Sequence, residues 1–129
     1  MIILDASVLI GHFEPADAHH GQAAALLKSH LTDTFAASVI TLAEVYAGAA
    51  RARHSDRLHQ LLTRLQIHTL ELRADAARRL GELRAATKLK MPDCCVLYAA
   101  QHHNAAIATF DAPLAARAAE LGLAIATHA

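Results

Sequence analysis

The sequence predicts an α/β fold built on parallel strands with helices on both faces. Three observations carry that expectation. Short apolar runs recur along the chain: MIIL at 1–4, FAASVI at 35–40, IHTLEL at 67–72, AAIATF at 105–110 and LAIAT at 123–127. Segments with apolar residues at helical spacing separate them. Alanine supplies 31 residues of a chain that is 54% hydrophobic, and alanine loses no side-chain entropy in a helix. Strands that alternate with helices form βαβ units, whose strands run parallel.

Each element follows from its own residues. MIIL is short, apolar and β-branched, as a buried strand is. SVLIGHF after it predicts a short helix, and beyond Pro15 the spacing of Ala23, Leu26, Leu27 and Leu31 predicts a helix over 17–31. FAASVI is the second strand. LAEVYAGAARA and SDRLHQLLTRL are the next helices, the second opened by Ser55 as a cap. IHTLEL alternates and is the third strand. Residues 74–87 form a helix with Ala77, Leu80 and Leu83 on one face. The helix over 92–103 starts at Pro92, which suits the first helical position, and ends near Asn104. AAIATF is the fourth strand, APLAARAAELG a helix stopped by Gly122, and LAIAT a fifth strand.

At 129 residues the chain is expected to be one domain, 1–129, large enough for a core of its own. No linker, repeat or low-complexity segment interrupts it. The formal net charge is zero with histidine neutral, so the overall field does not attract nucleic acid or anionic membrane, and any polyanion needs a local patch. The start MIILDAS has no basic region before its acid, unlike a signal peptide. No apolar run approaches the roughly 18 residues of a membrane span. The two cysteines, Cys94 and Cys95, are adjacent. They make no disulfide framework, and a reducing cytoplasm is expected.

In parallel sheets ligands bind beyond the carboxyl ends of the strands. Four acids stand there. Asp5 ends the first strand and Asp111 the fourth, while Glu44 and Asp93 lie in the first turns of helices. Each has a structural role open to it. Asp5 and Asp111 suit N-caps, Thr41 to Glu44 spells a capping box, and Asp93 complements a helix dipole. As a set they imply more. Two full charges 4 Å apart repel by about 4 kcal/mol at an effective dielectric near 20. Capping gives no reason to crowd them, whereas a bound cation does. Oxygen ligands without His or Cys select Mg²⁺ or Mn²⁺ over zinc, and such a site suits phosphoryl transfer.

The stretches ILDASVLI, TLAEVYAG, LKMPDCCVLYAAQ and IATFDAPLAARAAELG, in this order and spacing, resemble the PIN domain, and within it the small VapC-type toxin ribonucleases. The resemblance covers essentially the whole chain. It implies a Rossmann-like three-layer α/β/α sandwich with a five-stranded parallel sheet. It further implies an Mg²⁺- or Mn²⁺-dependent endoribonuclease acting on tRNA or rRNA, homodimeric and neutralised by a VapB-like antitoxin. The family's acidic positions match Asp5, Glu44, Asp93 and Asp111, and its hydroxyl positions match Ser7 and Thr109. Asp5, Asp93 and Asp111 are then the metal ligands, with Glu44 positioning a water or acting as base. Ser7 and Thr109 would hold a ligand carboxylate or a water, or merely cap and end their strands. Many relatives carry a further acid or an aromatic past the last one. Here Ala112, Pro113 and Leu114 follow, which favours one ion.

With no net charge, RNA needs a basic strip. Arg84, Lys88 and Lys90 lead directly into Asp93 and are the candidate phosphate contacts. Arg51, Arg53 and Arg57 form a second strip. Either set also suits a solvated helix face. The aromatics Phe13, Phe35, Tyr46, Tyr98 and Phe110 receive no assignment. The ten histidines include the doublets His19-His20 and His102-His103, which lack zinc spacing and are read as surface or helix-end residues. Cys94 and Cys95 are read as helix packing. The helices over 42–65 combine apolar and basic faces, and the resemblance makes them the antitoxin groove. The rival reading is a PIN-like module that binds RNA or protein without cutting. An aspartyl-phosphate enzyme would want Asp at position 7, where Ser stands. A dinucleotide-binding domain would want a Gly-rich turn after the first strand, which is absent.

Overall fold

Alternate residues of the two inner strands bury on opposite sides of one sheet. The structure, a computed structural model, describes residues 1–127. Strands β1 (Ile2–Leu4), β2 (Phe35–Ser38), β3 (His68–Leu70) and β4 (Ala106–Ala108) are parallel, in the order β3-β2-β1-β4. Ile2 and Leu4 point into one apolar cluster, and Ile3 into the other. Phe35 and Ala37 face the first cluster, Ala36 the second. A sheet buried on both faces needs uninterrupted apolar strands, as MIIL and FAA are.

Helices α1 (Ala6–Phe13), α2 (His20–Ser29), α3 (Val39–Arg51) and α4 (Ser55–Arg64) cover the first face. Helices α5 (Ala76–Thr87), α6 (Met91–His103) and α7 (Ala112–Glu120) cover the second. The three-layer α/β/α arrangement that the resemblance implies results. Helix α6 is the most deeply packed: Cys94, Cys95, Val96, Leu97, Ala99 and Ala100 are all buried. Both thiols are thus packing residues, and burial pushes both thiol pKa values up, away from the reactive thiolate. Among the described residues no helix is long and apolar enough to cross a membrane.

Several local expectations need correction. The sheet has four strands, not five. Segment 123–127 meets β4 through one bridge, Ile107 to Ile125, with two flanking bonds: Ile107 N–H donates to Ala124 and Ala126 N–H to Ile107. Alanine-rich residues beyond Gly122, which sits at φ +77, offer little side-chain area to extend the ladder. Helix α3 begins earlier than expected, because Ser38 ends β2 and caps the helix, its Oγ accepting from Ile40 N–H at 3.3 Å. Thr41 therefore lies inside the helix and buried, and the capping box with Glu44 does not form. His54 rather than Ser55 holds the N-cap position of α4. In α5 it is Ala76, not Ala77, that joins Leu80 and Leu83 in the core. Helix α6 starts at Met91, one residue before Pro92.

Candidate active site

The strand order places the site. From β1 the chain steps outward to β2 and β3, then returns to β4 on the other side of β1. The crevice outside the carboxyl ends of β1 and β4 is therefore the topological switch point, where parallel sheets open to ligands. Asp5 follows β1 directly, and residues 109–111 follow β4.

Asp5 is buried, 7% exposed. Its side chain does not cap α1. It accepts two hydroxyl protons on Oδ2, from Ser7 Oγ at 2.8 Å and Thr109 Oγ1 at 2.7 Å. Each hydroxyl is fixed in turn by a backbone N–H: Phe110 N donates to Ser7 Oγ at 3.0 Å, and Asp111 N to Thr109 Oγ1 at 2.9 Å. The carboxylate is thus oriented through one oxygen. Its Oδ1 takes part in none of the described hydrogen bonds. Asp111 does cap α7, with Oδ1 accepting from Leu114 N at 3.0 Å.

Glu44 and Asp93 complete the set. Asp93 lies in the first turn of α6 and Glu44, more open, in the second turn of α3. Burial pushes the Asp93 carboxyl up to about 6, and the charges of Asp5, Asp111 and Glu44 push in the same direction. Glu44 is raised by burial and by Asp5. Four acids separated by up to 106 positions in sequence are therefore near enough to act on one another. Lys90, the N-cap residue of α6, offsets both shifts and is the cation beside them.

Among the described residues no three His, Cys, Asp or Glu side chains are already drawn together as a metal site. The hydrogen bonds give a physical account. Asp5 is held through Oδ2 and Asp111 through Oδ1, and like charges keep uncompensated carboxylates apart. The donor set itself is all oxygen, which fits a hard divalent cation.

The basic residues divide. Lys90 joins the site. Lys88 occupies the left-handed C-cap of α5 at φ 61, and Arg84 is exposed on α5, where its charge acts on the Cys94 thiol. In the second strip, Arg57 stacks over the Phe13 ring at 4.6 Å, and Arg51 and Arg53 lie exposed around the end of α3. Elsewhere, α3, α4 and β3 line an open cleft of about 430 Å³, with Leu42, Tyr46, Leu62, Ile67 and His68 in its walls. The sequence reading missed one feature beside the acids. His19 stacks on Phe110 with ring centroids 4.7 Å apart and planes at 11°. The two residues are 91 positions apart, and no local pattern signals the pair.

The PIN domain family profile matches residues 2–120. No curated protein matches the chain significantly. Among solved structures, the chain is similar to VapC20 of Mycobacterium tuberculosis, a sarcin–ricin-loop-cleaving toxin. The TM-score is 0.79 at 18% identity, over 91% of this chain and 95% of that one. It is similar to a toxin–antitoxin complex from Klebsiella pneumoniae, with TM-score 0.69 at 26% identity over 86% and 87%. It is also similar to VapBC2 of Rickettsia felis bound to a promoter DNA fragment, with TM-score 0.71 at 19% identity over 97% and 96%.

Proposed function

The chain belongs to the PIN domain family, and from that premise we propose that it is the toxin of a toxin–antitoxin pair: an Mg²⁺- or Mn²⁺-dependent endoribonuclease that hydrolyses RNA phosphodiester bonds, tRNA or rRNA being its substrates. The observation that carries the reading is that Asp5, Asp111 and Glu44 lie close enough to Asp93, at the β1–β4 switch point, to raise its proton affinity. Unneutralised carboxylates are costly unless a cation joins them.

Asp5 through Oδ1, Asp93, and Asp111 through Oδ2 would hold the ion. When bound, it would polarise a phosphate oxygen and lower the pKa of a water. Ser7 and Thr109 keep Asp5 in one orientation, as partners of a metal ligand do. Glu44, the most open of the four, orients the attacking water in line with the scissile bond and accepts its proton. Its carboxylate binds a proton more tightly than an ordinary one, the direction a general base needs. Lys90 receives a neighbouring phosphate, while Arg84 and Lys88 extend the contact along the strand.

For the partners, the supporting observation is the cleft between α3, α4 and β3. The similar Klebsiella structure is a toxin–antitoxin complex and the Rickettsia one is VapBC2 bound to promoter DNA, and we assign the cleft to a VapB-like antitoxin. Residues 1–129 act as one domain, as a homodimer in the cytoplasm.

The decisive experiment is cleavage of total RNA by antitoxin-free protein in Mg²⁺, Mn²⁺ or EDTA, wild type against Asp5→Ala. Cutting only by wild type, and only with a divalent ion, is expected. Cutting that survives EDTA, or no cutting by folded wild type, overturns the reading and leaves a binding module.

A further inference from the structure

The stack of His19 on Phe110 has a geometry that core packing does not require. The His19 side chain keeps 47% of its surface exposed, so its outer ring face is open while its inner face covers Phe110. Phe110 is joined to the carboxylate site twice: it precedes Asp111, and its N–H donates to Ser7 Oγ, which donates to Asp5. The ring that covers it therefore stacks on the residue that links the end of β4 to Asp111.

His19 is also held in place before any ligand arrives. Its backbone N–H donates to Asp17 Oδ1 at 2.8 Å. Its carbonyl accepts from Ala23 N–H at 2.8 Å, which opens α2. The next ring, His20, bonds the Gly11 carbonyl through Nδ1 at 2.9 Å and lies parallel to His12. Gly11 lies close under the His19 backbone: a Cβ there would meet His19 Cβ at 3.5 Å. The loop before α2 is thereby pinned against α1, with one aromatic face presented outward. A rigid aromatic face beside a phosphate-cleaving centre is the chemistry that receives a nucleobase, since every base has a π-face and stacking tolerates sequence.

We propose that His19, backed by Phe110, is a stacking platform for one base of single-stranded RNA next to the scissile phosphate, an inference that rests on the ribonuclease reading above. A base inside a duplex has both faces covered by its neighbours, so the platform selects unpaired RNA. Asp17 is the positioning residue for the platform. The pair does not discriminate among bases by hydrogen bonding, and purines, with the larger face, bind it better than pyrimidines.

The test uses a ten-nucleotide single-stranded RNA of mixed sequence, with the fluorescent base 2-aminopurine placed at each position in turn. It is bound in Mg²⁺ to the Asp93→Asn chain, which is expected to bind without cutting. In this background His19→Ala is expected to weaken binding about 5- to 100-fold and to abolish stacking quench at one position. His19→Trp, which restores a ring, should recover both. Equal affinity and equal quench with His19→Ala overturn the platform, as does a loss of thermal stability with binding unchanged, which would make the stack a loop clasp only. Failure of the parent to bind the RNA overturns the platform alone if wild-type protein cleaves total RNA. If wild type does not cleave either, the nuclease reading falls with it.

Discussion

The two halves of the acidic site are built differently. At the β1–β4 crevice, Asp5 and Asp111 are tied to the protein: Asp5 takes two hydroxyl protons, and Asp111 caps α7. Across from them, Glu44 and Asp93 start from helices and have no such hydrogen bonds among the described residues, and both bind protons more tightly than ordinary carboxyls. The first half is an oriented frame and the second an unsatisfied charge. The contrast teaches that a cation is needed mainly by the second half, while the first half determines where it sits.

The largest effect should come from the unsatisfied half. Asp93→Asn keeps the shape and the helix start but removes a charge, and RNA cleavage should fall by more than about 100-fold, beyond what loss of a supporting partner costs a metal site. A steady-state assay on total RNA checks it. A well-folded Asn variant that cuts at the wild-type rate would remove Asp93 from the site.

Next comes the frame. Thr109→Val preserves shape but takes one hydroxyl proton from Asp5 and one acceptor from Asp111 N–H. Cleavage should drop about 10- to 100-fold, with a higher Mg²⁺ concentration needed for half-maximal rate. If the Mg²⁺ dependence stayed unchanged, Thr109 would be no more than a strand end. Lys90→Ala should act more mildly, weakening RNA binding across sequences and reducing the salt slope by about 1. Affinity measured over a range of salt concentrations separates this from a change in chemistry.

The smallest effect is thermal. In native protein the Asp93 carboxyl titrates at about 6, against 3.8 ordinarily. Between these values the folded chain binds more protons than the unfolded one, so ion-free stability falls as pH rises through that window. Thermal melts in EDTA from pH 4 to 7 should show a decline that Asp93→Asn flattens. Mg²⁺ at pH 7 should raise the melting temperature of wild type by a few degrees and leave Asp93→Asn nearly unmoved. A wild-type curve parallel to the variant's at every pH would mean that Asp93 carries no raised proton affinity.

Most of the fold was legible in the sequence, because its signals are local. The apolar runs, the Asn104 and Gly122 stops and the burial of both cysteines follow from residues within a turn of one another. The errors were local too. VI after Ser38 reads as strand on β-branching, but Ser38 capped a helix there and removed Thr41 from the cap. LAIAT reads as a strand, but a single bridge remained.

By itself, then, the sequence determined which acids and hydroxyls the chain carries, their order, and the placement of Asp5, Asp93 and Asp111 just after strands or at a helix start, while Glu44, expected in a first turn, lies a turn deeper in α3. Periodicity and capping act over three or four residues and need no tertiary contact. Only the folded chain decided the rest. The order β3-β2-β1-β4 made a crevice of the Asp5 and Asp111 ends. It delivered Thr109 to Asp5 and His19 to Phe110. It also brought Asp5, Asp111 and Glu44 close enough to Asp93 to raise its proton affinity. Such effects fall off within ångströms in space and depend on long chain segments being closed first, which no short stretch of sequence records.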